Sequence, residues 1–197
     1  MSTVYIFDKS YSHIDKNKMM ESLSTEILKA VSKYPIEEDY INSLTGWYLL
    51  KNFLEEDYKI KLNDYEIQFN QYGKPYIDEN IHFNISHSNN FIVIIISKSI
   101  CGIDVEMINN RQLSKRLVNK ILSPNEKREI KNDEDLIKLW TRKEAYLKKE
   151  GTGILLSKLS DNIDYSNVKT LKLKDSKNNE YFLSYISKDD SYSIKIK

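Results

Sequence analysis

The chain has 197 residues, enough for one domain or two small ones around a buried core. Thirty basic and 29 acidic side chains leave a net charge of +1, which excludes a global field that draws the protein to nucleic acid or a membrane surface. The single cysteine, Cys101, excludes an internal disulfide framework and a cysteine-rich zinc site. The N-terminal residues do not resemble a signal peptide, and the longest apolar run, Phe91 to Ile96, is far shorter than a membrane helix. We therefore expect a cytoplasmic protein with no membrane and no nucleic-acid partner.

The first half of the chain is predicted to combine strands with helices. Its pattern favours a strand at Val4–Phe7, a helix from about 16 to 33, a helix over Ile36–Glu56, a strand at "YEIQFN" and a turn at Tyr72–Pro75. We interpret "FNISHS" (Phe83–Ser88) as a loop. It is followed by "FIVIIIS", which is typical of a strand covered on both faces.

The second half repeats this order of elements. "CGIDVE" predicts a strand, and a helical pattern runs from Leu113 to about Lys149, interrupted by "SPNE", in which Ser123 and Glu126 form a capping box. Gly151 and Gly153 are expected to end the last helix. Three short strands follow at "TLKLK", "EYFLSYI" and "YSIKI". The order predicts a pseudo-duplicated α+β fold, divided into residues 1–102 and 103–197, with helices on a small antiparallel sheet in each half.

Three carboxylates are the strongest indication of chemistry. Asp104 and Glu106 share one face of a predicted strand, roughly 6 to 7 Å apart at the backbone. Glu144 lies on a helical stripe with Trp140 and Leu147, and an acid on an inward face needs a cation or hydrogen-bond donors. Three converging acids are typical of a Mg²⁺ site that completes its ligand shell with substrate phosphate.

Each acid also has a purely structural interpretation. Asp-x-Glu on a strand is often a solvated face, and Glu144 can form a surface ion pair with Lys148 one turn later. Gly102 favours the functional interpretation, because it permits close approach of another backbone or a ligand next to the acids. The same acids also suit a metal-dependent nuclease, although the chain lacks a basic stripe for nucleic acid.

A phosphate-binding region is predicted beside the acids. Ser86, His87 and Ser88 offer hydrogen-bond donors, Lys74 offers an ammonium on a turn, and Lys148 points toward the cleft of Glu144. Taken singly, each of these features is explained by an ordinary strand end, turn or basic helix face.

Four motifs in order, "GKP", "FNISHS", "GIDVE" and "WTRKEAYLKKEGTG", resemble the 4′-phosphopantetheinyl transferases of the surfactin-synthetase-activating type, over about 38 to 153. The resemblance implies transfer of the phosphopantetheine arm of coenzyme A to a serine of an apo acyl or peptidyl carrier protein, with release of adenosine 3′,5′-bisphosphate. It also implies Mg²⁺, with Mn²⁺ as a substitute, and a monomer built as a pseudodimer that binds CoA between its halves.

The resemblance assigns roles residue by residue. The implied metal ligands are Asp104, Glu106 and Glu144. The implied coenzyme A contacts are Lys74, Pro75, Ser86, His87 and Lys148. The residues expected to act in catalysis are Glu144, Lys148, His87 and Glu126, the last as a base for the serine or only as a helix cap. The loop from about 107 to 120 is expected to shape carrier docking.

One position departs from the family pattern. Asn42 stands where an arginine is expected to contact the 3′-phosphate of CoA, so that charge must come from elsewhere, with Lys29 and Lys33 as the nearby candidates. This departure leaves open a non-catalytic homologue that binds CoA or a carrier protein.

Overall fold

The computed structural model describes residues 1–11, 14–77, 80–108, 122–152, 163–189 and 191–197. Most of the predicted carrier-docking loop lies outside these residues, as does Gly153. Within them there are five α-helices, namely α1 (Lys16–Ser22), α2 (Thr25–Val31), α3 (Glu37–Tyr58), α4 (Pro124–Glu129) and α5 (Asp133–Glu150), and a short 3-10 helix at Leu62–Asp64. The described strands are β1 (Ser2–Asp8), β2 (Gln68–Phe69), β3 (Pro75–Tyr76), β4 (His82–Ser88), β5 (Phe91–Ser97), β6 (Cys101–Met107), β7 (Lys169–Lys174), β8 (Glu180–Ser187) and β9 (Tyr192–Ile196).

The first sheet has the strand order β4-β5-β1-β9. Strands β4, β5 and β1 are antiparallel, and α3 covers them with a core that includes Leu44, Leu50 and Phe53. Strand β9 pairs in parallel with β1, with Val4 opposite Ile194. The last strand of the chain therefore crosses the predicted division at residue 102 and completes the sheet of the first half.

The second sheet has the antiparallel order β6-β8-β7, with α5 packed on β6 and β8. A second core, which includes Ile103, Val105 and Leu183, fills the space between this sheet and the first one. The α+β class and the two-halved architecture are thus confirmed. The sheets are small and antiparallel apart from the β1–β9 pair.

Two predicted elements differ from the structure. The helix expected from 16 to 33 is two helices, because Leu23 is extended and the Ser24 side chain accepts the backbone N–H of Ile27 as the N-cap of α2. The segment "FNISHS" is a strand and not a loop. Its sequence alternates apolar and polar side chains from Phe83 to Ser86, which is the strand period.

Candidate active site

Side chains of β4 join it to β6, which belongs to the other sheet. Asn84 accepts the backbone N–H of Ile103 at 2.9 Å, and the Ser86 hydroxyl donates to Asp104 Oδ1 at 2.8 Å. The Ser88 hydroxyl lies 3.4 Å from Glu106 Oε2. These β4 residues alternate along the strand and therefore share one face. The two predicted acids of β6 are thus held in the seam between the halves.

Gly102 brings the third acid to this seam. A Cβ added at Gly102 would lie 2.0 Å from the carbonyl oxygen of Ala145 and 2.5 Å from the backbone nitrogen of Lys149. Helix α5 therefore rests directly on the backbone of β6, and only glycine permits that approach. Glu144, the neighbour of Ala145, is 5% exposed. The predicted close approach at Gly102 is confirmed, and its partner is a helix.

The three carboxylates have too few partners for their burial. Asp104 Oδ2 and Glu144 Oε1 are buried and accept no hydrogen bond. The Trp140 indole N–H reaches Glu106 Oε1 only at 3.4 Å. Burial, followed by repulsion from Asp104, raises the pKa of Glu106 and of Glu144 to about 7. The cluster therefore has an excess of negative charge.

Lys148 supplies a positive charge in direct contact with one of these acids, Asp104. Its ammonium lies 2.7 Å from Asp104 Oδ1 and 3.0 Å from the Ser86 hydroxyl. Burial opposes the charged form, but Asp104 and then Glu144 more than offset it, and the pKa of Lys148 is raised. The surface pair of Glu144 and Lys148 that the helical spacing allows is replaced by a pair between Lys148 and the strand carboxylate Asp104.

These residues fit a hard divalent cation. Carboxylate oxygens are the ligands that Mg²⁺ prefers, and two of them are buried without a donor. Among the residues that the structure describes, no three histidine, cysteine or carboxylate side chains are already gathered as a ligand set. Instead, the Lys148 ammonium is bound to Asp104, so binding of a divalent metal ion requires side-chain rearrangement.

Lys74 has a structural role in addition to the predicted one. Its ammonium donates to the carbonyl oxygens of Cys101 at 3.0 Å, Lys148 at 2.6 Å and Lys149 at 3.1 Å. It therefore caps the C-terminal end of α5 and ties it to the start of β6. Pro75 and Lys74 also line a cavity of about 190 Å³ beside Gly151. The contact of Lys74 and Pro75 with coenzyme A stays a prediction.

His87 lies on the opposite face of β4 from Ser86. Strand alternation turns it toward the start of α3. Its pKa is lowered, first by burial and then by the positive charge of Lys148, while Asp39 opposes the shift. His87 therefore does not share the face on which Ser86 contacts Asp104, and its contact with coenzyme A stays a prediction.

Lys9 is a candidate for the positive charge that is missing at Asn42, and the sequence analysis did not identify it. Its ammonium donates to Asn42 Oδ1 at 2.5 Å, and Asn42 is 3% exposed. Lys9 directly follows β1 and Asn42 lies in α3, so no local pattern connects them. Lys29 and Lys33, which the sequence suggested as sources of charge, are both exposed. The cation beside Asn42 is Lys9.

Glu126 has partners for both carboxylate oxygens. Oε2 accepts the backbone N–H of Ser123 at 2.7 Å and the ammonium of Lys143 at 2.7 Å, and Oε1 accepts the hydroxyl of Tyr165 at 3.1 Å. Ser123 caps the helix in return, which confirms the predicted capping box. Lys143, which pairs with this carboxylate, is fully buried. A base role for Glu126 stays a prediction.

Comparison with known proteins identifies the class. A family model described as the 4′-phosphopantetheinyl transferase superfamily matches residues 100–196, and one described as 4′-phosphopantetheinyl transferase, N-terminal, matches residues 12–99. The chain is 31% identical over 181 residues to the 4′-phosphopantetheinyl transferase gsp of Aneurinibacillus migulanus, covering 87% of this chain and 76% of the relative. It is 27% identical over 157 residues to the transferase Sfp of Bacillus subtilis, covering 76% and 69%.

The chain therefore belongs to the 4′-phosphopantetheinyl transferase superfamily, enzymes that use coenzyme A as co-substrate and modify carrier proteins. The resemblance given by the four motifs is confirmed. In the part of the chain that the structure describes, no helix combines the length and the apolar character that crossing a membrane requires.

Proposed function

We propose that this protein is a Mg²⁺-dependent transferase that moves the phosphopantetheine arm of coenzyme A to a serine of an apo acyl or peptidyl carrier protein. Family membership supports the reaction class. The observation that carries the metal assignment is the cluster of Asp104, Glu106 and Glu144, in which two buried carboxylate oxygens have no donor. We further propose that the protein acts as a cytoplasmic monomer.

The bonds that change define what the site must do. The serine oxygen forms a bond to the phosphorus next to pantetheine, and the bond from that phosphorus to the bridging oxygen of the pyrophosphate breaks. Adenosine 3′,5′-bisphosphate leaves with the bonding electrons, and the serine proton passes to Glu126 or to water. Bound Mg²⁺ supplies charge neutralisation on the pyrophosphate.

The chain's own residues contribute position and charge. Asp104, Glu106 and Glu144 hold the cation in the seam between the halves. Lys148 donates to the reacting phosphates as a compact point charge. The Ser86 hydroxyl lies 3.0 Å from the Lys148 ammonium and can donate a hydrogen bond to the same phosphate. His87 contacts coenzyme A from the α3 side. Such a site works mainly by orientation and electrostatics.

A mass-spectrometric assay tests this proposal. Purified protein is incubated with CoA, Mg²⁺ and a panel of apo carrier proteins, and each carrier is weighed intact. We expect a carrier to gain one phosphopantetheine group, at its serine, only when Mg²⁺ is present. Unmodified carriers throughout the panel would favour a non-catalytic homologue, and hydrolysis of a phosphodiester without carrier modification would favour the nuclease.

A further inference from the structure

Lys148 occupies the position of a counter-ion in the carboxylate cluster. Its ammonium and the Ser86 hydroxyl both bind Asp104 Oδ1, at 2.7 and 2.8 Å, and Lys148 also binds Ser86 at 3.0 Å. This closed set of three contacts uses one oxygen of Asp104 completely. A metal ion on either oxygen of Asp104, the unpartnered Oδ2 included, therefore lies within a few Å of the ammonium, and the two cations repel each other.

The contacts around Lys148 allow its side chain to leave while its backbone stays. Lys74 donates to the carbonyl oxygen of Lys148 at 2.6 Å, and Gly102 packs on the same turn of α5. The side chain of Lys148 is 29% exposed, whereas that of Asp104 is 5% exposed. The Lys148 side chain is thus the more accessible partner of the pair.

We propose that Lys148 couples coenzyme A binding to metal binding, by leaving Asp104 for the pyrophosphate and so opening the carboxylate to the divalent ion. This inference rests on the proposed function. Without CoA, Lys148 competes with the metal. With CoA, the pyrophosphate holds Lys148, and the metal binds more tightly. The coupling is reciprocal, so the metal strengthens CoA binding by the same factor.

Mn²⁺ binding, followed by electron paramagnetic resonance in the absence of carrier protein, tests the coupling without turnover. Lys148→Met is expected to bind Mn²⁺ about tenfold more tightly than the wild type when CoA is absent. Lys149→Met is the matched control, since the Lys149 ammonium pairs with Glu150 at 3.1 Å and not with the acids. It should bind Mn²⁺ like the wild type.

CoA must then act differently on the two proteins. Because CoA phosphates also contact the metal directly, CoA tightens Mn²⁺ binding in both, but the factor should be larger in the wild type than in Lys148→Met. Adenosine 3′,5′-bisphosphate, which lacks the pyrophosphate, should produce little of this gain. That comparison uses the wild type alone and remains available if Lys148→Met does not fold.

The outcomes separate this inference from the proposed function. Equal Mn²⁺ affinities of wild type and Lys148→Met without CoA, or equal tightening by CoA in both, would overturn the coupling while leaving the transferase intact. If the variant does not fold, equal tightening of wild-type binding by CoA and by the bisphosphate would overturn it. Absence of Mn²⁺ binding in every protein would overturn the metal site itself.

Discussion

Replacement of Gly102 by alanine tests how closely α5 must approach β6. The added Cβ would lie 2.0 Å from the carbonyl oxygen of Ala145, whereas ordinary contact begins at 3.4 Å. The obstacle is backbone, so helix and strand must separate by roughly 1.4 Å, the difference between those distances. Glu144 and Lys148 move with the helix, away from Asp104.

Two effects of different size are expected from this shift. Overpacking should lower the free energy of unfolding by about 1–3 kcal/mol, which leaves a folded protein if the wild type has ordinary stability. Misplacement of the acid and the lysine by about 1 Å should lower kcat/KM for carrier modification about 100-fold. Thermal unfolding and the rate of carrier mass gain measure the two effects separately.

Gly46→Ala is the matched control for Gly102→Ala. Its added Cβ would lie 2.8 Å from a side-chain methyl of Ile85, inside the first-half core, and not against backbone. Ile85 can adjust, so this variant should retain most of the transfer rate. Wild-type transfer and Mn²⁺ binding by Gly102→Ala would refute the reasoning, because they would mean that the separation of α5 from β6 does not matter to the site.

Three further predictions concern charge. Lys143→Met leaves the Glu126 carboxylate buried without its cation and should lower the free energy of unfolding, measured by urea titration, by about 3–5 kcal/mol. Adding Glu126→Gln to this variant should restore part of the lost stability. Equal losses in the single and the double variant would contradict a stabilising Lys143–Glu126 pair. With a chelator present to remove divalent ions, the melting temperature should fall as the pH rises from 5 to 8. The pKa of Glu106 and of Glu144 is about 7 in the folded protein and 4.5 ordinarily. Between these two pH values the folded protein therefore binds more protons than the unfolded chain, and its stability falls as the pH rises. Glu144→Gln should flatten this decline, and an equally steep decline in that variant would count against the assignment. Lys9→Met should raise KM about tenfold for CoA but little for 3′-dephospho-CoA, and equal effects on both substrates would refute a 3′-phosphate contact.

The strand and helix that hold the acids were predictable because each has a strong local signal. The alternation in "GIDVE" places Asp104 and Glu106 on one face, and the helical stripe with Trp140 turns Glu144 inward. Gly102 also carried local information, since a glycine inside a strand indicates a close approach. Convergence of the acids follows from these three signals together.

The contacts between elements distant in the chain were not predictable from local pattern. The pairing of β9 with β1 joins opposite ends of the chain. Its register depends on which edge strand of the first sheet has no other partner. The contact of Lys9 with Asn42 likewise joins two elements with no shared period. The burial of Lys143 was not predictable from its basic helical run, since only the position of α4 supplies the Glu126 partner that permits burial.

The central claim is that Glu144, with Asp104 and Glu106, holds the cation on which phosphopantetheine transfer depends. The most direct test measures the initial rate of carrier mass gain for Glu144→Gln beside the wild type, at saturating CoA and Mg²⁺, after circular dichroism has shown that the variant is folded. We predict a loss of at least about 100-fold, since the amide keeps the shape but removes the charge. Transfer by the folded variant at the wild-type rate would contradict the account.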